Sequence, residues 1–235
     1  GAALVKDVLQ TNNLTGNEID EVIIGNILSA GLGQGIGRQI AVKGGIPAGI
    51  PAYSLNMLCG SGMKAVLNAY TSIGAGVHHL VLAGGVESMS RAPFLLDANV
   101  RGGIKMGDVV SKDHMLVDAL TDAFHNVHMG ITAENIAEKH GLTREEQDAF
   151  AYHSQQKAIA AVDAGRFDDE IVPLTVRVGR EEVVFSRDEY PNRTTNLEKL
   201  AKLRPAFKKD GTVTAGNASG LNDGASIILL ASEEA

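Results

Sequence analysis

The chain has a single cysteine, Cys59, among 235 residues, so no disulfide can form within it. A lone thiol fits a reducing compartment and is left for packing or for chemistry. Tryptophan is absent and aromatic residues make up only 4%, which by itself excludes little. Long apolar runs are missing too. None approaches the roughly 20 residues that a bilayer-spanning helix needs, and no basic-then-apolar leader opens the sequence. A cytoplasmic location without a membrane partner is the expectation. Positive charge is also in deficit: a net charge of -7 argues against nucleic acid, whose phosphates are bound through clustered Lys and Arg. Internal repeats and low-complexity segments are absent as well.

What is present is an aliphatic chain, 44% hydrophobic, able to bury a sizeable core in one large domain or two small ones. Ala3 to Thr11 reads as a helix end, and Glu18 to Ile24 leads into a buried strand. Asn26 to Arg38 is glycine-rich, yet it aligns with neither G-x-G-x-x-G nor a P-loop, so it reads as a loop before a helix from Arg38 to Gly44. Ala52 to Met57 reads as a short strand. After Gly60, Met63, Val66, Leu67 and Tyr70 fall at helical spacing. His79 to Ala83 is a third apolar strand, with Gly84-Gly85 expected to end it and to let backbone pass close by, toward the sulfur of Cys59.

From Ser88 to about Gly216 apolar runs shorten and charge increases, as expected of an insertion lying over a sheet. Arg101 to Asp108 reads as an extended or hairpin loop. Thr132 to His140 is a short helix closed by Gly141. Thr143 and Glu146 form a capping box for a longer helix, running to about Ala164, with Ala151, Ala158, Ile159 and Val162 as its buried stripe. Ile171 to Val178 and Glu182 to Phe185 suggest a strand pair. Ala225 to Ala231 is apolar on both faces, which predicts a central strand covered on two sides.

The stretch richest in chemistry is Pro51 to Lys64, PAYSLNMLCGSGMK. Cys59 sits where a strand turns into a helix. Unpaired amides and the positive end of the macrodipole converge there and favour a thiolate. Gly60 and Gly62 leave room for a carbonyl to reach the sulfur and permit a tight turn. Two readings fit these residues: an activated nucleophile, or one more small apolar side chain in the core. His125 and His128, three apart, could share a helix face, but no cysteine or carboxylate cluster completes a metal site. Arg193, Lys199, Lys202, Arg204, Lys208 and Lys209 form a basic island in an acidic chain. It is either a solvated face or an attractor for a phosphorylated ligand.

The run Asn56 to Ala65 resembles the nucleophilic-cysteine segment of the thiolases, and Gly84 to Ser90 (GGVESMS), His128-Met129-Gly130 and Gly216 to Ala225 (GNASGLNDGA) are similar to further motifs of that family in the same order. Within it the likeness is to the biosynthetic acetyl-CoA acetyltransferases. The resemblance implies an α/β fold, half of a thiolase: a βαβαβαββ layer whose first strand would precede Gly1, carrying an inserted α+β loop domain. It places the N-terminal core at 1–87, the insertion at 88–218 and the return to the core at 219–235. It implies Cys59 as acyl acceptor in a ping-pong condensation of two acetyl-CoA to acetoacetyl-CoA and CoA, with coenzyme A as substrate and product and no other cofactor or metal. Leu120, His128, Met129, Phe207, Ala215 and Ser219 match residues that line the family's pantetheine channel. The place of an adenine-stacking arginine, just after Tyr190, is held by Asn192 with Arg193 following. Residues 101–108 match the family's tetramerisation loop, so a homotetramer, a dimer of dimers, is implied. The family's activating histidine and its second cysteine, the base, belong to a second half that would follow Ala235. A degradative 3-ketoacyl-CoA thiolase and a non-catalytic acyl-CoA-binding protein of the same fold are the other readings.

Overall fold

A computed structural model describes residues 1–235. Contacts group them into two units, Gly1–Ala119 with Asn222–Ala235, and Leu120–Leu221. The first unit runs α1 (Ala2–Thr11), β1 (Glu21–Gly25), α2 (Ile36–Gly44), β2 (Ala52–Leu55), α3 (Ser61–Gly74) and β3 (Leu80–Ser88), followed by the short strands β4 (Phe94–Leu96) and β5 (Ser111–Asp113). The second holds α4 (Met129–His140), α5 (Arg144–Asp163), the strands β6 (Leu174–Val178) and β7 (Glu181–Phe185), and the single-turn α6 (Leu197–Ala201). The chain then returns to the first unit as β8 (Asp223–Ala231).

One four-stranded sheet, ordered β2-β1-β3-β8, carries the first unit. β1 pairs in parallel with β2 and β3, and β8 runs antiparallel to β3 from Leu80↔Ala231 to Ser88↔Asp223. Period-two alternation decides which helix covers which face. Val22, Ile24 and Leu82 pack with Val5, Leu9, Ile40 and Ala41 of α1 and α2. Ile23, Val81 and Ala83 pack with Ala65 and Ala69 of α3. Parallel strands covered on both faces read as continuous apolar runs, which is why Val22 to Ile24 marked the buried strand that Glu18 to Ile24 leads into. α3 lies on the sheet through its alanines, while Met63, Leu67 and Tyr70, at the spacing that marked the helix, are exposed.

Four sequence readings differ from the structure. Gly84-Gly85 do not end β3; they pair with Ile227 and Ser226 inside it, and a side chain at Gly84 would overlap the Ser226 carbonyl. The close backbone approach expected of these glycines is there, made by the backbone of β8; the stop is not. β8 is an edge strand of this sheet, and Ile228 is 45% exposed; its apolar character does not place it at the centre. In α5 the expected stripe Ala151, Ala158, Ile159, Val162 is only half-buried, and the buried residue is Asp148. Asp148 is buried because it is paired: it accepts from Arg144 Nε at 2.7 Å and from Asn217 Nδ2 at 2.9 Å. Finally, residues 88–119 group with the first unit. The β4–β5 hairpin carries 101–108 in its connection, with Met106 95% exposed.

Within the second unit, the capping box of α5 is formed, Thr143 accepting from the Glu146 amide at 3.2 Å and Glu146 from the Thr143 amide at 2.8 Å. Glu134 of α4 is buried and receives the amides of Thr212 and Val213 at 2.9 and 2.8 Å. Burial alone would raise its pKa, but these bonds, that of Thr212 first, outweigh it and hold the carboxyl below its ordinary value of 4.5. A depressed carboxyl contributes stability above its unfolded value and loses it as pH falls through the folded one. Glu134→Gln puts an amide donor against amide donors and is expected to cost roughly 1.5–3 kcal/mol at pH 7. The gap in melting temperature from the parent should close on acidification below about 4.5. A gap that stays constant with pH would contradict this role.

Candidate active site

Cys59 is exposed and lies between β2 and the first turn of α3. It lines a cavity of about 400 Å³ together with Gly25, Asn26, Leu58, Ser61, Glu87 and Ser226, all in the first unit. The reading of Cys59 as a packed core residue does not fit this placement. α3 is 14 residues long with no acidic side chain in its first turn, so nothing there offsets the positive end of its dipole beside the sulfur.

The turn that presents Cys59 is made differently from the sequence expectation. Gly60, the residue before α3, has φ -87°, and the left-handed residue is Leu58 at φ 50°. A side chain in that region costs about 1–2 kcal/mol and persists only where neighbours hold it. Here they do. The Leu58 amide donates to Asn56 Oδ1 at 2.9 Å. Ser61, only 4% exposed, accepts from the Met57 amide at 2.8 Å and donates to the Leu58 carbonyl at 2.6 Å. Gly25 lets α3 start this close to the sheet, since a side chain there would meet the Ser61 carbonyl carbon at 2.5 Å and the Gly62 nitrogen at 2.6 Å.

The far wall of the cavity is fixed by Glu87, at the end of β3. Its carboxylate accepts from the amides of Ile27 and Leu28 at 2.9 and 3.1 Å and from Asn26 Nδ2 at 3.1 Å, and Asn26 donates also to the Val86 carbonyl. The loop after β1 is thereby tied to the end of β3. Ser61, Leu58, Glu87 and Asn26 had no role in the sequence reading. The only signal was their presence in or beside the Cys59 and GGVES motifs; for Glu87 and Asn26 a tie between residues about 60 apart has no local pattern.

The other residues proposed for coenzyme A lie in the second unit or at its start. His128 caps α4: its Nδ1 accepts from the Gly130 amide at 2.9 Å, so Nδ1 carries no proton and Nε2 is the N–H donor. Its ring stacks on Phe207 with centroids 4.7 Å apart. Met129 follows at the helix start, 38% exposed, and Leu120 is half-buried. Ala215 and Ser219 are exposed on a loop braced by Asn217, which accepts from the Thr214 amide and donates to Thr212 O and Asp148. His125 does not share a site with His128; its Nδ1 pairs with Asp122 at 2.8 Å.

Arg193 forms a two-pronged pair with Asp163 at 2.9 and 2.6 Å. This hydrogen bonding holds the Asp163 carboxyl below its usual range. The bonds lie in the guanidinium plane and leave its faces open to a ring. Elsewhere in the basic island Lys202 pairs with Glu198, Lys208 with Glu138, and Lys199 with the Thr194 carbonyl. Much of the island is internally neutralised.

Comparison with known proteins fits this arrangement. A family model described as "Thiolase, N-terminal domain" matches residues 1–234. A "Probable acetyl-CoA acyltransferase" of Staphylococcus aureus (strain COL) is 53% identical over 236 residues, covering 100% of this chain and 60% of the relative. One of the same description from Staphylococcus epidermidis is 51% identical, with 59% of it covered. The crystal structure of the Bacillus anthracis acetyl-CoA acetyltransferase superposes with a TM-score of 0.91 at 40% identity, over 99% of this chain and 59% of that one. The chain thus spans about three-fifths of the length of these relatives. With an exposed cysteine at the head of α3, a thiolase-fold layer around it and a family match over nearly every residue, the chain belongs to the thiolase family, as its N-terminal domain.

Proposed function

We propose that the full-length protein is an acetyl-CoA C-acetyltransferase, joining two acetyl-CoA into acetoacetyl-CoA and CoA through an acetyl-cysteine on Cys59. The observation that carries this reading is the exposed thiol on a braced left-handed turn at the positive end of α3. The thiolate adds to the thioester carbonyl, the bond to the coenzyme sulfur breaks, and CoA leaves. The enolate of a second acetyl-CoA then attacks the acetyl-enzyme and frees the thiolate. Charge gathers on the carbonyl oxygen in both steps, and the amide of Cys59 is one donor for it. Coenzyme A is held through Leu120, His128, Met129, Phe207, Ala215 and Ser219, with Arg193 at the adenine. The His128–Phe207 stack and the Nε2–H left as donor support a wall that receives an amide-bearing arm. By the family resemblance, an activating histidine and a second cysteine acting as base come from the remaining two-fifths. The exposed 101–108 segment meets another subunit in a homotetramer, and the enzyme works in the cytoplasm.

Thiolysis of acetoacetyl-CoA by the full-length protein tests this reading, set against longer 3-ketoacyl-CoA chains. Fastest turnover of the four-carbon substrate is expected. A preference for long chains would make it a degradative thiolase, and no acyl transfer at all would leave a binding protein. The 235-residue chain alone is expected to give no turnover. A rate like that of the whole enzyme would remove the role given to the rest.

A further inference from the structure

We propose that the Ser61 hydroxyl aims the amide of Cys59 at the acyl oxygen, which makes Ser61 a positioning residue for acyl transfer; this rests on the reading of Cys59 as acyl acceptor. Leu58 O receives two donors from the same residue, Ser61 Oγ at 2.6 Å and Ser61 N at 2.9 Å. The peptide between Leu58 and Cys59 is trans and planar, so its N–H lies opposite its C=O. Pinning the Leu58 carbonyl toward Ser61 therefore turns the Cys59 N–H the other way. No group of the chain accepts from that amide.

A backbone donor left free on the residue that carries the nucleophile is placed for the oxygen that builds up when the sulfur bonds to a carbonyl carbon. In that step the S–C bond forms, the carbonyl electron pair moves onto oxygen, and its return expels the coenzyme thiolate. A donor helps only if it is already oriented, because reorientation during reaction forfeits the gain. The conformation that orients it is strained at Leu58, with φ 50°. The Ser61 hydroxyl holds both sides of that residue, accepting from the Met57 amide and donating to the Leu58 carbonyl. Without it, Met57 N–H loses its acceptor and the left-handed residue keeps only the Asn56 bond and the Ser61 amide.

The full-length enzyme carrying Ser61→Ala separates this role from mere support of the fold. Acetyl transfer should fall on the order of 10- to 100-fold in kcat, below the loss for deleting an oxyanion donor outright, with KM for acetyl-CoA within about twofold. Alkylation of Cys59 by iodoacetamide should change by less than about threefold, because displacement at a saturated carbon builds no oxyanion. Adding Leu58→Asn should recover at least about threefold of the acetyl transfer, since asparagine tolerates the left-handed region. Equal losses in acetylation and alkylation, an effect confined to KM, no effect of Ser61→Ala, or no recovery by Leu58→Asn would each overturn the proposal. If Ser61→Ala does not fold, Leu58→Asn with and without Ser61→Ala provides the same comparison. A Cys59→Ser enzyme that still becomes acylated would remove the underlying reading. Loss in Cys59→Ser with no loss in Ser61→Ala would remove this inference alone.

Discussion

Cys59→Ser in the full-length protein is expected to form no acyl-enzyme and to lose acyl transfer by a factor on the order of 10⁴ or more, as removal of a nucleophile does elsewhere. The reason is the difference between sulfur and oxygen at one place. Sulfur is intrinsically the stronger nucleophile, whereas a serine hydroxyl in its place needs a base in contact. The fold should be indifferent to the change. Cys59 is exposed and its sulfur bonds to nothing in the chain, so stability should move by no more than about 0.5 kcal/mol. Acyl-enzyme retained in this variant would place the nucleophile at another residue, and a large loss of stability would mean that the thiol serves packing.

The second large effect is expected from a residue with no chemistry of its own. Gly25→Ala adds a methyl that would meet the Ser61 carbonyl carbon at 2.5 Å, the Gly62 nitrogen at 2.6 Å and Ser61 Cβ at 2.8 Å. These are mostly backbone atoms at the start of α3, not the end of a flexible chain. β1 has little freedom to give way, because Gly25 is paired with Leu55 on one side and Gly85 on the other. The head of α3 must yield, and with it the turn that carries Cys59. Overpacking of this kind costs about 1–3 kcal/mol, and a shift near 1 Å in a reacting group costs on the order of 100-fold in rate. Gly49→Ala, where a methyl would meet nothing within 4 Å, is the control expected to change neither. Wild-type stability and turnover in Gly25→Ala would show that the close approach is not needed.

How much of this was open to reading from residues follows from the range of each interaction. The strand that Glu18 to Ile24 leads into was legible because Val22 to Ile24, covered on both faces, are apolar at every position. The α5 cap was legible because Thr143 and Glu146 are three apart and their bonds are reciprocal. Cys59 at the mouth of α3 could be placed because the change from strand to helix occurs within a few residues. Two of the misses involve partners distant in sequence. Asp148 reads as a solvated charge until Asn217, 69 positions on, is brought beside it. Gly84 reads as a stop until Ser226 arrives from across β8. ASIILLA looks central from composition, yet an edge strand can be as apolar as a central one if it packs, here through Ile227 and Leu229 on one face and Leu230 on the other. The tight turn before α3 reads as the work of Gly60 and Gly62, which adopt unusual conformations without cost. Asn56 and Ser61 instead hold the left-handed conformation on Leu58.

The most direct test of the sulfur's role is to mix the full-length protein with acetyl-CoA in the absence of a second acceptor, quench in acid, digest, and locate the acetyl group by mass spectrometry. A single acetyl group on the peptide containing Cys59, removed when CoA is added back, is the expected result. An acetyl group carried by any other residue, or turnover of acetoacetyl-CoA with none on Cys59, would contradict it.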